Sequence, residues 1–216
     1  MGLLSRLLYP PRRLSRYEHL IELAVKAQPR SLLEIGVWRG DRGEQFLSSI
    51  PTLGDYVGLD LFEGMDSQTF TQESMGKCYP TSMAEVEARL LRARRNPSAT
   101  VRLVRGRTDA TMPALARERP ASFDFIYLDG GHSLETVESD WTFSVQLIRP
   151  GGIVVFDDYY LNDDTRGAKP LVDRLARDRR YRVRFFPVVE DIVEDLQITM
   201  VSVQAASVAG EKGAER

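Results

Sequence analysis

Three observations predict an α/β fold, with a doubly wound, mostly parallel seven-stranded sheet and an antiparallel last strand. From residue 31 onward, short β-rich apolar runs recur along the chain. Helical patterns lie between them, which is the mark of parallel strands joined by crossover helices. The last two runs are separated only by the short acidic stretch Val188 to Asp195. A parallel crossover needs roughly a dozen residues, so this final pair reads as an antiparallel hairpin.

The elements follow in order. The segment 1–30 reads as a helical arm: Arg6, Arg12, Arg13 and Arg16 precede the first acid, Glu18, and a helix is predicted over Tyr17 to Ala27. A helix packed across the sheet or in a subunit contact is favoured over a membrane-surface anchor, because one short basic stretch binds membranes weakly. The strands of the domain, 31–203, are Ser31 to Val37, Asp55 to Leu61, Thr100 to Arg105, Phe123 to Asp129, Gly152 to Asp157, Tyr181 to Pro187 and Leu196 to Val203. Helices are predicted over Asp41 to Ser49, Ser82 to Arg95, Ala110 to Arg119, Ser133 to Ile148 and Gly167 to Arg180. Ser82 and Glu85 form a capping box. Leu134, Val137, Trp141, Val145 and Ile148 fall on one helical face. Phe62 to Pro80 is long for a loop and has the character of a lid. Its Phe62, Met65, Phe70, Met75 and Tyr79 either line a substrate mouth or pack as a satellite core. Residues 204–216 read as a flexible tail.

Composition narrows the function. Hydrophobic residues make up 43% of the 216, and no apolar run is long enough to cross a bilayer. Lys and Arg number 29 against 31 Asp and Glu, a net charge of −2. No overall field favours a polyanion, so nucleic acid is not the expected partner. The single cysteine, Cys78, excludes an internal disulfide and a finger-type zinc site. A reducing, cytoplasmic setting fits.

The first strand ends in Glu34-Ile35-Gly36-Val37-Trp38-Arg39-Gly40, a strand-to-helix turn with glycines at Gly36 and Gly40. A dinucleotide fingerprint needs glycine where Trp38 stands. Glu34 at this turn would repel phosphate and suits a cationic ligand. Twenty-four residues after Gly36 the second strand closes on Asp60, where an acid can accept ribose hydroxyls. A ribose with a cationic arm describes S-adenosylmethionine.

The fourth strand ends in Asp129-Gly130-Gly131-His132 and the fifth in Asp157-Asp158. On neighbouring strands about 4.8 Å apart, these three carboxylates converge at the carboxyl edge, where open α/β sheets bind ligands. Either some take up protons or a hard cation such as magnesium sits among Asp129, Asp157 and Asp158. The plainer alternative is that Asp129 and Asp157 satisfy turn amides. His132 is a candidate general base, with an unperturbed pKa of about 6.5; its plainer role is to hydrogen-bond the loop. His19 reads as a surface or packing residue, and Asn162, Asp163 and Asp164 as a solvated loop that helps gate an acceptor only as the lesser alternative.

Together these runs resemble the class I S-adenosylmethionine-dependent methyltransferases over Ser31 to Val203. The stretches Asp129 to Ser133 and Arg149 to Tyr159 are similar to the metal-dependent branch that includes catechol and macrocin-type O-methyltransferases. The resemblance implies that Glu34, Gly36 and Gly40 hold the methionine end and Asp60 the ribose. It makes Thr108 and Asp109 candidates for the adenine side, Asp109 alternatively serving as a helix N-cap. It implies Mg bound by Asp129, Asp157 and Asp158, with His132 and Asp129 catalytic. The implied acceptor is a hydroxyl on a sugar, glycosylated natural product or phenol, sugars being favoured because His132 rather than a lysine holds the base position. Arg42 and Gly43 depart from the pattern, since relatives often carry Ser or Thr there. A homodimer through residues 1–30 is implied by analogy only.

Overall fold

The computed structural model describes residues 13–66, 71, 79–193 and 196–206. Phe70, Met75, Cys78, the arm before residue 13 and the tail from 207 lie outside these residues. The sheet is built from β1 (Ser31–Ile35), β2 (Asp55–Asp60), β3 (Thr100–Arg105), β4 (Phe123–Leu128), β5 (Ile148–Tyr160), β6 (Tyr181–Phe185), β7 (Glu190–Val193) and β8 (Leu196–Ala205). Its order is β3-β2-β1-β4-β5-β8-β6, with β7 also paired to β8. The pairs from β3 to β5 are parallel, and β8 runs antiparallel to β5, β6 and β7.

There are thus eight strands among the described residues rather than seven. The expected turn over 188–195 contains β7, which pairs with β8 from Glu190 opposite Ile198 to Val193 opposite Leu196. Four residues flanked by acids leave little apolar alternation to signal a strand.

The alternation of side chains along each strand sends successive residues to opposite faces. On one face, Leu33, Ile35, Ile126, Leu128, Val154 and Phe156 pack under α4 (Thr108–Glu118), α5 (Leu134–Leu147) and α6 (Lys169–Arg177). On the other, Leu32, Phe125, Tyr127 and Val155 pack under α1 (Arg16–Ala27), α2 (Asp41–Ser49) and α3 (Met83–Ala93). Helix α1 begins with a reciprocal capping box: Glu18 N donates to Ser15 Oγ at 3.2 Å and Ser15 N to Glu18 Oε2 at 2.9 Å. Its Leu20 and Ala24 are fully buried, which fixes the helix against the sheet. In α5 the inward face is Val137, Asp140, Ser144 and Leu147; Val145 is exposed and lies off it.

Period-two alternation has a direct consequence for the site. Glu34 shares a face with Leu32, Asp129 with Tyr127, and Asp157 with Val155. Tyr127 pairs with Glu34 on one side and Val155 on the other. All three acids therefore sit on the α1–α3 face towards the carboxyl edge of β1, β4 and β5, Asp157 lying inside β5, which runs on to Tyr160 rather than ending at Asp157.

Candidate functional site

Glu34 is fully buried at the end of β1. Its Oε2 accepts from the Tyr56 hydroxyl at 2.6 Å, and its buried Oε1 has no hydrogen-bond partner. Burial pushes its pKa up to about 8, against the opposing pull of Tyr56 and Arg42. A carboxyl in this state gains most from a cation placed beside it.

The turn after Glu34 is held by backbone. Gly36 has φ +87, and a Cβ there would lie 1.7 Å from the Asp129 carbonyl oxygen. Its glycine is needed so that the turn after β1 can pass close to the backbone after β4. Gly40 (φ +80) starts α2, and a Cβ there would press on Val86 at 3.1 Å. These two glycines shape the rim of the turn. Asp60 completes it: Oδ2 accepts from Trp38 N at 2.6 Å and Oδ1 from Phe62 N at 3.1 Å. Each carboxylate oxygen retains a further lone pair for a ligand hydroxyl.

Trp38 stands at the rim, edge-on to Tyr79 at 5.5 Å, with its Nε1 donating to the Tyr79 carbonyl at 3.2 Å. The lid expectation divides accordingly. Phe62 is core, whereas Tyr79 is exposed beside Trp38. Thr108 is the first residue of α4, and Asp109 is exposed and paired with Arg107 at 3.1 Å. The N-cap is Arg107, so Asp109 is not the cap.

The three aspartates at the ends of β4 and β5 come together. Opposite β8, Phe156 pairs with Val201 and Tyr159 with Thr199, so Asp157 and Asp158 stand against the single residue Met200. This bulge disturbs the alternation at the two acids. Asp129 hydrogen-bonds to Asp157 and accepts from the Tyr127 hydroxyl at 2.9 Å. Burial and the charges of Asp157 and Asp158 hold the Asp129 carboxyl well above the usual range. Burial also raises Asp157, with Arg16 opposing. For Asp158, burial is outweighed by His132 and Tyr160, and its pKa falls.

Every carboxylate of the cluster has a protein partner. Asp157 Oδ1 accepts from Arg16 Nε at 3.0 Å, and Oδ2 from the Tyr17 hydroxyl at 3.3 Å. Asp158 Oδ1 accepts from the Tyr160 hydroxyl at 2.9 Å, and Oδ2 faces His132 Nε2 at 3.2 Å. A hard dication requires such oxygens to turn to one common point. Among the described residues, no group of three or more His, Cys, Asp or Glu is arranged to hold a metal ion. The predicted gathering of Asp129, Asp157 and Asp158 is present, but Asp157 is already paired with the Arg16 guanidinium, and the set as arranged does not fit magnesium.

A strap over residues 161–168 fixes the acidic end of the sheet edge. Gly167 N donates to the His132 carbonyl and Ala168 N to that of Asp158, both at 2.7 Å. A Cβ on Gly167, at φ +66, would meet the Asp158 carbonyl oxygen at 2.4 Å. Asp163 serves this strap, accepting from Thr165 N at 2.8 Å and Arg166 Nε at 2.7 Å. Asn162 accepts from Gln197 N at 3.1 Å, and Asp164 pairs with Lys169 at 2.5 Å. His19 pairs with Glu22 at 3.3 Å and lies edge-on to Phe186, a packing residue.

Sequence reasoning passed over Arg16, Tyr17 and Glu190. Arg16 sat in a basic arm with no period of its own, and Glu190 in what looked like a turn. Their only signal was the excess of carboxylates at the sheet edge, which called for a cation without saying which.

Comparison with known proteins places this geometry. The family described as "Methyltransferase domain" matches residues 33–159, more than half of the chain. The O-methyltransferase TomG from Streptomyces achromogenes, involved in tomaymycin synthesis and solved with SAM, is 19% identical at TM-score 0.62. That alignment covers 94% of this chain and 86% of TomG. An O-methyltransferase from Bacillus cereus in complex with SAH is 16% identical at TM-score 0.62, covering 93% of this chain and 86% of that one. At such identities the likeness is one of fold. An uncharacterized protein of Acanthamoeba polyphaga mimivirus is 28% identical over 78 residues, 36% of this chain and 28% of its own length. Among the described residues, no helix is long and apolar enough to cross a membrane.

Proposed function

Since the chain belongs to the methyltransferase-domain family, we propose that it transfers the methyl group of S-adenosylmethionine to a hydroxyl oxygen of a small-molecule acceptor. The observation that carries this reading is Glu34: a fully buried carboxyl with one oxygen unpartnered, near the carboxyl end of β1. A sulfonium and ammonium arm supplies the cation that this group lacks, and Asp60 is the proposed acceptor for the ribose hydroxyls. Thr108 and Asp109 are the proposed residues on the adenine side. TomG and the Bacillus cereus protein, O-methyltransferases solved with SAM or SAH, support oxygen as the acceptor atom.

The reaction needs alignment and a place for a proton. In-line attack by the acceptor oxygen on the methyl carbon breaks the bond from that carbon to sulfur and leaves S-adenosylhomocysteine. The hydroxyl proton passes to the acidic end of the sheet edge, where the His132–Asp158 pair is the proposed acceptor and Asp129, which keeps its own proton towards Asp157, orients the acceptor hydroxyl. Asp129 shares the cofactor's face of the sheet, and Asp158 steadies a protonated His132. The Arg16 contact favours the reading in which no divalent metal takes part, and no step is assigned to magnesium. The acceptor class remains a sugar, glycosylated natural product or phenol, and a cytoplasmic setting belongs to the same proposal.

A thermal-shift comparison of S-adenosylhomocysteine with NAD tests the assignment. Stabilisation by S-adenosylhomocysteine at concentrations well above its Kd is expected. Stabilisation by NAD alone would replace the methyl-transfer reading with an oxidoreductase.

A further inference from the structure

The guanidinium beside Asp157 is held from several directions at once. Arg16 is the first residue of α1, where the Ser15–Glu18 capping box sets the start of the helix. Its backbone N donates to Glu190 Oε1 at 2.8 Å, and its Nη1 donates to Glu190 Oε2. Nε meets Asp157, and Nη2 donates to the Tyr17 hydroxyl at 2.6 Å. The Tyr17 ring lies between two cations, with Arg16 at 4.2 Å and Arg42 at 4.0 Å from its centroid. The Arg16 side chain is only 13% exposed.

We infer that Arg16 is the resident cation of the carboxylate cluster and keeps divalent metal out of it. Glu190, on the unforeseen strand β7, is the positioning residue that delivers Arg16 to Asp157. This deepens the proposed function at the same site. The argument is one of occupancy: a dication at Asp157 would face a fixed positive charge at contact distance and would have to share both carboxylate oxygens with existing donors. Arginine suits this place because its planar fork donates to two carboxylates at once. Neutralising Asp157 from within also allows three carboxylates to crowd one sheet edge without an added ion.

The test is a titration of the full chain with Mn²⁺, followed by the loss of the free-ion electron paramagnetic resonance signal. The parent protein is expected to take up no Mn²⁺ at the cluster up to about 1 mM, a range in which unshielded carboxylate clusters bind such ions. Arg16→Ala is expected to gain a site that fills at least about tenfold below that limit, and the added change Asp157→Asn to abolish it. Arg16→Gln, which keeps the packing on Tyr17 without the charge, serves if Arg16→Ala does not fold, and the same gain is expected. Glu190→Gln should give a smaller gain. Binding by the parent that Asp157→Asn removes would overturn the inference, and so would Arg16 variants that fold but gain no site. Binding of S-adenosylhomocysteine, measured on the same samples, is independent of this outcome: its failure would count against the methyltransferase reading and not against the role of Arg16.

Discussion

At the scale of single residues the cleft is defined by carboxyl groups whose protonation is set by burial. Glu34 binds its proton more tightly in the fold than in the unfolded chain, about 8 against 4.5. The fold therefore loses stability as pH rises through this window, by up to about 1.4 kcal/mol per pH unit. Glu34→Gln removes that loss, so its advantage in melting temperature over the parent is expected to grow from pH 5 to pH 8 and then level off. The same variant should bind S-adenosylmethionine at least about tenfold more weakly, because the carboxylate no longer meets the cation. A more stable variant with undiminished affinity would remove Glu34 from the cofactor site. At the acidic end, His132→Ala and Asp129→Asn should each lower kcat by about 10²-fold or more with less effect on KM. Full turnover in either variant at neutral pH would take that side chain out of the mechanism.

At the scale of elements, the site depends on how strand ends are brought together. Gly36 lets the chain after β1 pass the end of β4 with the Asp129 carbonyl in the space where a Cβ would stand. Gly36→Ala is expected to cost at least about 2 kcal/mol, read as a fall in the denaturation midpoint, because both a positive φ and a backbone contact oppose it. A neutral result would mean that the two loops can separate freely. The bulge at Asp157 and Asp158, and the strap through Gly167 and Ala168, then determine which way the β5 acids face. Much of this was legible beforehand. The acids Asp129 and Asp157 follow from the apolar runs Phe123 to Asp129 and Gly152 to Asp157, and their convergence follows from strand adjacency, although β5 runs on to Tyr160. Strand β7 was not legible, because four residues between acids carry no periodic pattern. Nor was the burial of Phe62 against the exposure of Tyr79, since an aromatic residue in a loop has the same hydrophobicity whether it packs inward or lines a mouth.

At the scale of the whole molecule, the two faces of one sheet divide the labour. The face under α4, α5 and α6 is apolar core, while the face under α1, α2 and α3 carries Glu34, Asp129 and Asp157 at its open end. Alternation along the strands predicts that segregation. What it could not give is the partner chosen by the crowded acids. Opposite charge is supplied by Arg16 from the far end of the sequence, 141 residues from Asp157, and no local pattern encodes such a pairing. The basic arm and the acidic segment before β8 each looked unremarkable alone, and their meaning lies in their meeting.

The most direct measurement is isothermal titration of the chelator-treated full chain with S-adenosylhomocysteine, alongside Asp60→Ala. One site per chain is expected, weakened at least about tenfold when Asp60 is lost, since both ribose hydroxyls lose their acceptor. Absence of binding to the parent protein, or binding unchanged in Asp60→Ala, would contradict a cofactor site at the carboxyl ends of β1 and β2.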